Sequence, residues 1–305
     1  MRVFLKKFLT DSLAAFLGVL LITILLCQPC AAKVFWTNFD TNAIARANRD
    51  GSNPDQTWIM GFAGPLSVAV DANYIYWANY DGNSIVRANL NGTGVNQNWI
   101  NGCWLPTGLT IDANYVYWSN DFIQSIGRAN LDSTGADQTW ITGCDGPYGV
   151  TVNATYVYWP NYNGNAIGRA NLNGTGVDQT WLVGPLALYG VAVDGDYVYW
   201  TNYWHNSIVR ANLDGTGVDN NWITGCDGPY RVAVNRTYVY WTNVDGDTIG
   251  RANLDGSSAN QSWITGCDQP EGIAVDANYV YWTNYNRNHN PPFLVVGPSY
   301  AKRVA

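Results

Sequence analysis

The chain has 305 residues, of which 47% are hydrophobic and only 13% charged, about half the ~25% charge of an average soluble domain. Its 15 Trp and 20 Tyr exclude a disordered chain, and its 31 Gly lack the three-residue period of collagen. A net charge of −7 argues against a nucleic-acid binder, which needs a basic face.

Residues 1–32 read as a secretory leader. Arg2, Lys6 and Lys7 give a basic start, and an apolar run follows from Leu13 to Cys27. Cys30-Ala31-Ala32 then offers the small residues at which a signal peptidase cuts. An uncleaved anchor is the alternative, although a spanning helix needs about 17–25 apolar residues. Cleavage removes those three cations and Asp11. The remaining chain has no Lys between Val34 and Asn290, and Glu271 is its only Glu. Such an acidic surface repels anionic polymers and membranes. The expectation is a secreted or periplasmic monomer, with no nucleic-acid partner and no membrane insertion after cleavage.

From residue 33 to 290 a 41-residue period organises the chain. Trp36, Trp77, Trp118, Trp159, Trp200, Trp241 and Trp282 follow it. So do Trp58, Trp99, Trp140, Trp181, Trp222 and Trp263. Arg46, Arg87, Arg128, Arg169, Arg210 and Arg251 keep the same spacing, each within Arg-Ala-Asn. One unit reads as four strands. Tyr189–Asp194 is strand A, Tyr197–Asn202 is strand B and Ser207–Leu213 is strand C. Gln179–Val183 shows strand D of the preceding unit. Each run is β-branched or aromatic and is bounded by Gly, Asn or Asp. Asp214-Gly215 suits the positive backbone angles of a hairpin turn. Four short antiparallel strands, repeated, predict an all-β propeller. The thirteen periodic Trp are expected to pack blade on blade.

Strand A occurs six times, starting near Leu66, Thr107, Tyr148, Tyr189, Tyr230 and Glu271, while strand B occurs seven times. Five units are complete. A six-bladed β-propeller of four-stranded antiparallel blades follows if the last A strand joins the first C and D strands. The seven-bladed alternative uses the tail, residues 291–305, as a closing strand.

Tyr-Trp-Thr-Asn, Ile-Gly-Arg-Ala-Asn-Leu-Asp-Gly, Trp-Ile-Thr-Gly and Gly-Ile-Ala-Val-Asp recur in that order. They resemble the YWTD repeats of low-density-lipoprotein-receptor class B modules, over residues 34–284. The resemblance implies a six-bladed propeller serving recognition or scaffolding, without catalysis, as in a bacterial secreted relative. One departure stands out. The fourth motif residue is Asn in all seven copies, from Asn38 to Asn284, where the family has Asp, so an ion-pairing role for that residue is in doubt.

Cys103, Cys144, Cys226 and Cys267 share one repeat position, with Phe62 and Pro185 in the other copies. Equivalent atoms of adjacent blades lie about one ring radius apart, whereas a disulfide needs Cα atoms within about 7 Å. Buried free thiols are expected, with Cys103–Cys144 and Cys226–Cys267 pairs as the alternative. His205 and His289 are the only histidines, and no metal or cofactor site is expected. Turns such as Asp214–Asp219 lack the terminal Glu of a calcium loop and read as solvated hairpins.

Repeated residues build the ring, so function is sought where the copies diverge. The D–A and B–C loops share one face, and that face diverges most. Its candidate ligand-binding residues are Trp104, Tyr148, Tyr189, Tyr203, Trp204, His205, Tyr230, Arg231 and Glu271. Further loop aromatics are Phe39, Tyr80, Phe122, Tyr162 and Tyr285. Tyr, Trp and Arg anchor interfaces, and flat aromatic rings stack on sugars. Arg231 and Glu271 start adjacent A strands, where they either serve a ligand or pair with each other. The expected function is non-catalytic recognition of a protein or glycan. The alternatives are a structural or cell-surface scaffold, or a propeller enzyme (a lactonase or lyase) with a metal in its channel.

Overall fold

A computed structural model describes residues 33–39, 41–48, 52–184, 188–275, 279–284 and 300–303. The leader at 1–32, Tyr285, His289 and most of the tail lie outside the described residues. Every regular element described is a β-strand. Five sheets are complete blades with strands in sequence order, all antiparallel. One of them, Pro106–Ile111, Tyr115–Asn120, Ser125–Asn130 and Asp137–Thr142, typifies the set. The protein is a β-propeller of such blades.

The terminal strands form two three-stranded sheets, which makes seven sheets among the described residues. Lys33–Asn38, Ala43–Asn48 and Asp55–Met60 supply strands B, C and D without an A strand. At the other end, Pro270–Val275 pairs with its own B strand, Tyr279–Asn284. Residues Tyr300–Arg303 of the tail pair with that B strand in turn. Six blades therefore carry an inner strand A, and the fold is the expected six-bladed β-propeller. The closure differs from the expected joining of the last A strand to the first C and D strands. The local hairpin to Tyr279–Asn284 takes that A strand, and Tyr300–Arg303 adds a third strand to its sheet.

The two central A strands are shorter than the sequence suggests, at Thr151–Val152 and Val191–Val193. In the first, Pro160 occupies the facing B strand and has no N–H to give the ladder. Elsewhere a B-strand hydroxyl supports this bulged entry, as where Gly108 N–H donates to Ser119 Oγ at 2.8 Å and Arg231 N–H to Thr242 Oγ1 at 3.0 Å. In the second, the Tyr189 carbonyl turns to the Arg231 guanidinium.

The repeated residues pack as expected. Trp77, Trp118, Trp159, Trp200 and Trp241 are fully buried, each with the Tyr one residue before it. The conserved-register arginines lie between aromatic plates. Arg128 sits 4.4 Å from the ring centres of both Tyr115 and Trp140, and its Nη1 donates to the Leu172 carbonyl of the next blade at 2.7 Å. Arg87, Arg169 and Arg210 make the same inter-blade bond. A planar cation between rings combines cation–π attraction with a donor fork.

The motif asparagines have a bridging role. Asn120 Oδ1 accepts the Trp104 N–H at 3.0 Å, and its Nδ2 donates to the Gln138 carbonyl at 3.0 Å. Asn161 and Asn243 repeat both bonds. The position needs an acceptor and a donor at once. Asn has both, whereas an ionised Asp has only acceptors.

Three seams between blades hold a glutamine. Gln138 Oε1 accepts Trp118 Nε1–H at 2.9 Å, and its Nε2 donates back to the Asn101 carbonyl of the preceding blade at 2.8 Å. Gln179 and Gln261 do the same with Trp159 and Trp241. Each such seam also contains a cysteine. Cys103, Cys144, Cys226 and Cys267 are all buried and unpaired. Burial pushes their thiols up to about 12, against smaller lowering by the seam glutamines at Cys103, Cys144 and Cys226.

Candidate functional site

The A strands enclose a central cavity of about 350 Å³, lined in part by Leu66, Thr107, Tyr148, Tyr230, Arg231 and Glu271. Small residues at the A-strand starts let side chains from one blade reach across it. Gly190 is one: a Cβ there would lie 2.9 Å from Arg231 Cα. Arg231 uses that space. Its Nη1 donates to the Tyr189 carbonyl and, at 3.3 Å, to the Tyr148 carbonyl two blades away. Its guanidinium carbon lies 5.4 Å and 5.5 Å from the Tyr148 and Tyr230 ring centres.

Tyr189 is the hub of an aromatic cluster at the mouth. Its ring centre lies 4.4 Å from Tyr230, 4.9 Å from Tyr162, 5.7 Å from Tyr203 and 6.1 Å from Tyr148. Its hydroxyl donates to the Tyr162 hydroxyl at 3.2 Å. Tyr203 donates to Asp245 at 2.8 Å. Burial is the main force raising the phenol pKa of Tyr189 and Tyr230. Both phenols remain protonated donors at neutral pH.

Arg231 and Glu271 do not form an ion pair. Arg231 turns its Nη1 to the Tyr189 and Tyr148 carbonyls, and the Glu271 carboxyl makes no hydrogen bond among the described residues. Burial raises the pKa of that carboxyl, and the nearby Arg231 charge offsets this only in part. The cavity thus holds an acid with open acceptor capacity beside an arginine whose position is fixed.

The remaining candidates lie elsewhere on the same face. Trp204, 65% exposed, meets Tyr203 edge-on at 5.2 Å. Trp104 stands apart, stacked on the exposed Phe122 at 5.6 Å. His205 belongs to a separate hollow, where its Nδ1 lies 3.1 Å from Asn202 Oδ1. The structure therefore unites Tyr148, Tyr189, Tyr203, Tyr230, Arg231 and Glu271, adds Tyr162 to them, and leaves Trp104 and His205 outside. Tyr162 was legible as a rim aromatic, but its place beside Tyr189 depends on the ring. Among the described residues no three His, Cys, Asp or Glu side chains gather as metal ligands do.

No family model and no curated protein matches the chain. Solved structures do share its fold. A chain of a nidogen/laminin complex is 19% identical, with a TM-score of 0.58, over 74% of this chain and 90% of that one. A catalytically inactive virginiamycin B lyase from Staphylococcus aureus with quinupristin is 19% identical, with a TM-score of 0.68, over 82% and 87%. A streptogramin B lyase is 17% identical, with a TM-score of 0.66, over 82% and 86%. At these identities the likeness concerns the fold.

Proposed function

We propose that this propeller is a secreted or periplasmic recognition module of YWTD type that binds a protein or glycan at its aromatic channel mouth, without catalysis. One observation carries the reading. Tyr148, Tyr189 and Tyr230 converge round Arg231 at the end of a cavity in which Glu271, the one carboxylate among the described lining residues, makes no hydrogen bond to any of them. Rigid aromatic rings with polar tips are the side chains that anchor interfaces at low entropic cost. The nidogen neighbour, solved in a complex with laminin, is in keeping with a binding role. The lyase neighbours raise the enzymatic alternative, but acid–base chemistry needs several convergent groups. Among the described lining residues of the cavity only Glu271 is a carboxylate, and none is a histidine.

The test is capture of extracellular and envelope material on the immobilised full chain. A Tyr189→Ala/Trp204→Ala/Tyr230→Ala variant of matched melting temperature serves as the comparison. A partner held by the wild type and lost by the variant supports the reading. Equal capture by both moves the site off this face, and turnover of a streptogramin by the wild type would replace recognition with catalysis.

A further inference from the structure

Each complete blade has an A strand along the inner edge of its strand B. The first sheet has strands B, C and D only, so no described strand pairs with the inner edge of Lys33–Asn38. That edge faces the central cavity, which Val34, Phe35, Trp36 and Thr37 line. Val34 and Phe35 are half-buried. The equivalent Val116, Tyr117, Val198 and Tyr199, in blades that have an A strand, are fully buried.

The complete blades show what such an edge holds. Thr201 Oγ1 accepts the Gly190 N–H at the head of its own A strand at 3.0 Å. It donates to the Tyr230 carbonyl of the next A strand at 3.1 Å. Thr242 makes the same two bonds, from the Arg231 N–H at 3.0 Å and to the Glu271 carbonyl at 3.4 Å. Two cavity-lining threonines each make one half of this pair. Thr37 Oγ1 donates to the Leu66 carbonyl at 3.2 Å, and no described N–H donates to it. Thr283 Oγ1 accepts the Gly272 N–H at 2.9 Å and donates to no described carbonyl. Thr283 is half-buried, whereas Thr201 and Thr242 are fully buried. The chain's own last A strand, Pro270–Val275, is already taken by Tyr279–Asn284.

We propose that the inner edge of Lys33–Asn38 binds a short extended segment of a protein partner, which joins the first sheet as its A strand. A strand inserted there gives an N–H to Thr37, a carbonyl to Thr283 and ladder bonds to the open edge. Main-chain bonds supply affinity in this mode, and side-chain fit supplies selectivity. The chain's own A strands define the fit. Gly108, Gly190 and Gly272 stand where the strand passes the B-strand hydroxyl, and a Cβ on Gly272 would lie 2.7 Å from Thr283 Oγ1. Apolar and small residues alternate after it, as in Gly272-Ile273-Ala274-Val275. In other blades a strand B tyrosine bonds the Asp that follows strand A, as Tyr117 does Asp112 at 2.8 Å. Phe35 has no hydroxyl for that bond, so the segment needs no acid there. Described A strands of two and three residues show that a short segment suffices. The proposal rests on the recognition reading for its protein partner, but places the contact on a strand edge instead of the tyrosine mouth.

The experiment is amide hydrogen exchange of the full chain, read by mass spectrometry over residues 33–38. The probe is the synthetic peptide acetyl-Pro-Thr-Gly-Leu-Thr-Ile-amide, copied from Pro106–Ile111. The expected result is a saturable slowing of exchange at 33–38, by about tenfold or more. The same peptide carrying Gly108→Val is expected to bind about tenfold more weakly, as overpacking predicts. Thr37→Val, which keeps the side-chain shape and removes the hydroxyl, is expected to weaken binding about three- to tenfold. The Tyr189→Ala/Trp204→Ala/Tyr230→Ala variant is expected to keep the response. No slowing overturns the proposal, as does protection of 33–38 in the free chain equal to that of Tyr115–Asn120. Equal binding of the two peptides together with an unchanged Thr37→Val response also overturns it. Loss of the response in the triple variant but not in Thr37→Val would place the peptide at the tyrosine mouth. A partner captured from extracellular material that leaves 33–38 unprotected would overturn the edge and leave the recognition reading standing.

Discussion

Gly127 stands directly opposite Trp118 on the neighbouring strand, and the indole fills the space that a side chain at 127 would take. A Cβ on Gly127 would lie 2.2 Å from Trp118 Cε2. Gly168 with Trp159 and Gly250 with Trp241 show the same relationship. These are the three tryptophans whose Nε1 reaches a seam glutamine. Opposite Val86 and Val209, Trp77 and Trp200 leave their Nε1 unpaired. The strand C residue thus decides whether the indole reaches its partner.

Gly127→Val is therefore expected to cost about 1–3 kcal/mol, the range for overpacking a dense core. Urea unfolding measures it, and Val86→Ala provides the contrast at a site with no indole bond to lose. A neutral Gly127→Val would show that the indole position does not depend on the facing residue.

Asn120→Asp is expected to destabilise by about 1–3 kcal/mol, the cost of an unmet buried hydrogen bond. The substitution keeps the acceptor for the Trp104 N–H and removes the donor to the Gln138 carbonyl. Asn120→Leu removes the donor without introducing a buried charge. Chemical denaturation at pH 7 reads both, and an unperturbed Asp variant would contradict the bridging role.

Arg128→Lys is expected to cost about 1–2 kcal/mol. A lysine keeps the charge but loses the planar face between Tyr115 and Trp140 and the directed donor to Leu172. Thermal unfolding at low and high salt checks the assignment. A loss that vanishes in high salt would indicate a simple charge effect.

Glu271 makes stability depend on pH in a stated direction. Burial raises its carboxyl above the ordinary 4.5, so the folded chain holds that proton more tightly than the unfolded chain. Its contribution is complete below the unfolded value and is lost as pH rises through the folded one. Glu271→Gln does not titrate. Its melting temperature is expected to match the wild type near pH 4 and exceed it at pH 7. An advantage confined to low pH would reverse the sign.

The four buried thiols are expected to resist alkylation at pH 8. A thiol held up to about 12 carries almost no thiolate there. Mass-mapped labelling with iodoacetamide should leave Cys103, Cys144, Cys226 and Cys267 unmodified until denaturant is added. Rapid labelling of the native chain would show that the seams open.

The sequence by itself determined the strands, the blade and the propeller. Those depend on local alternation and on a 41-residue period that every Trp and Arg column repeats, and such signals survive without knowledge of who meets whom. Ring geometry also pointed to four free thiols, and they are free. Only the tertiary structure decided how the terminal strands pair, because Pro270–Val275 had two possible neighbours and the chain alone does not rank them. It also decided that Arg231 reaches the carbonyl of Tyr148, 83 residues away, and so leaves Glu271 unpaired. Adjacent A-strand starts suggested an ion pair, but channel width and the absence of side chains at Gly149 and Gly190 gave the guanidinium a different route. The Gln138, Gln179 and Gln261 column became meaningful only when its members were seen between blades, since a hydrogen bond is a relation in space that spacing along the chain does not encode.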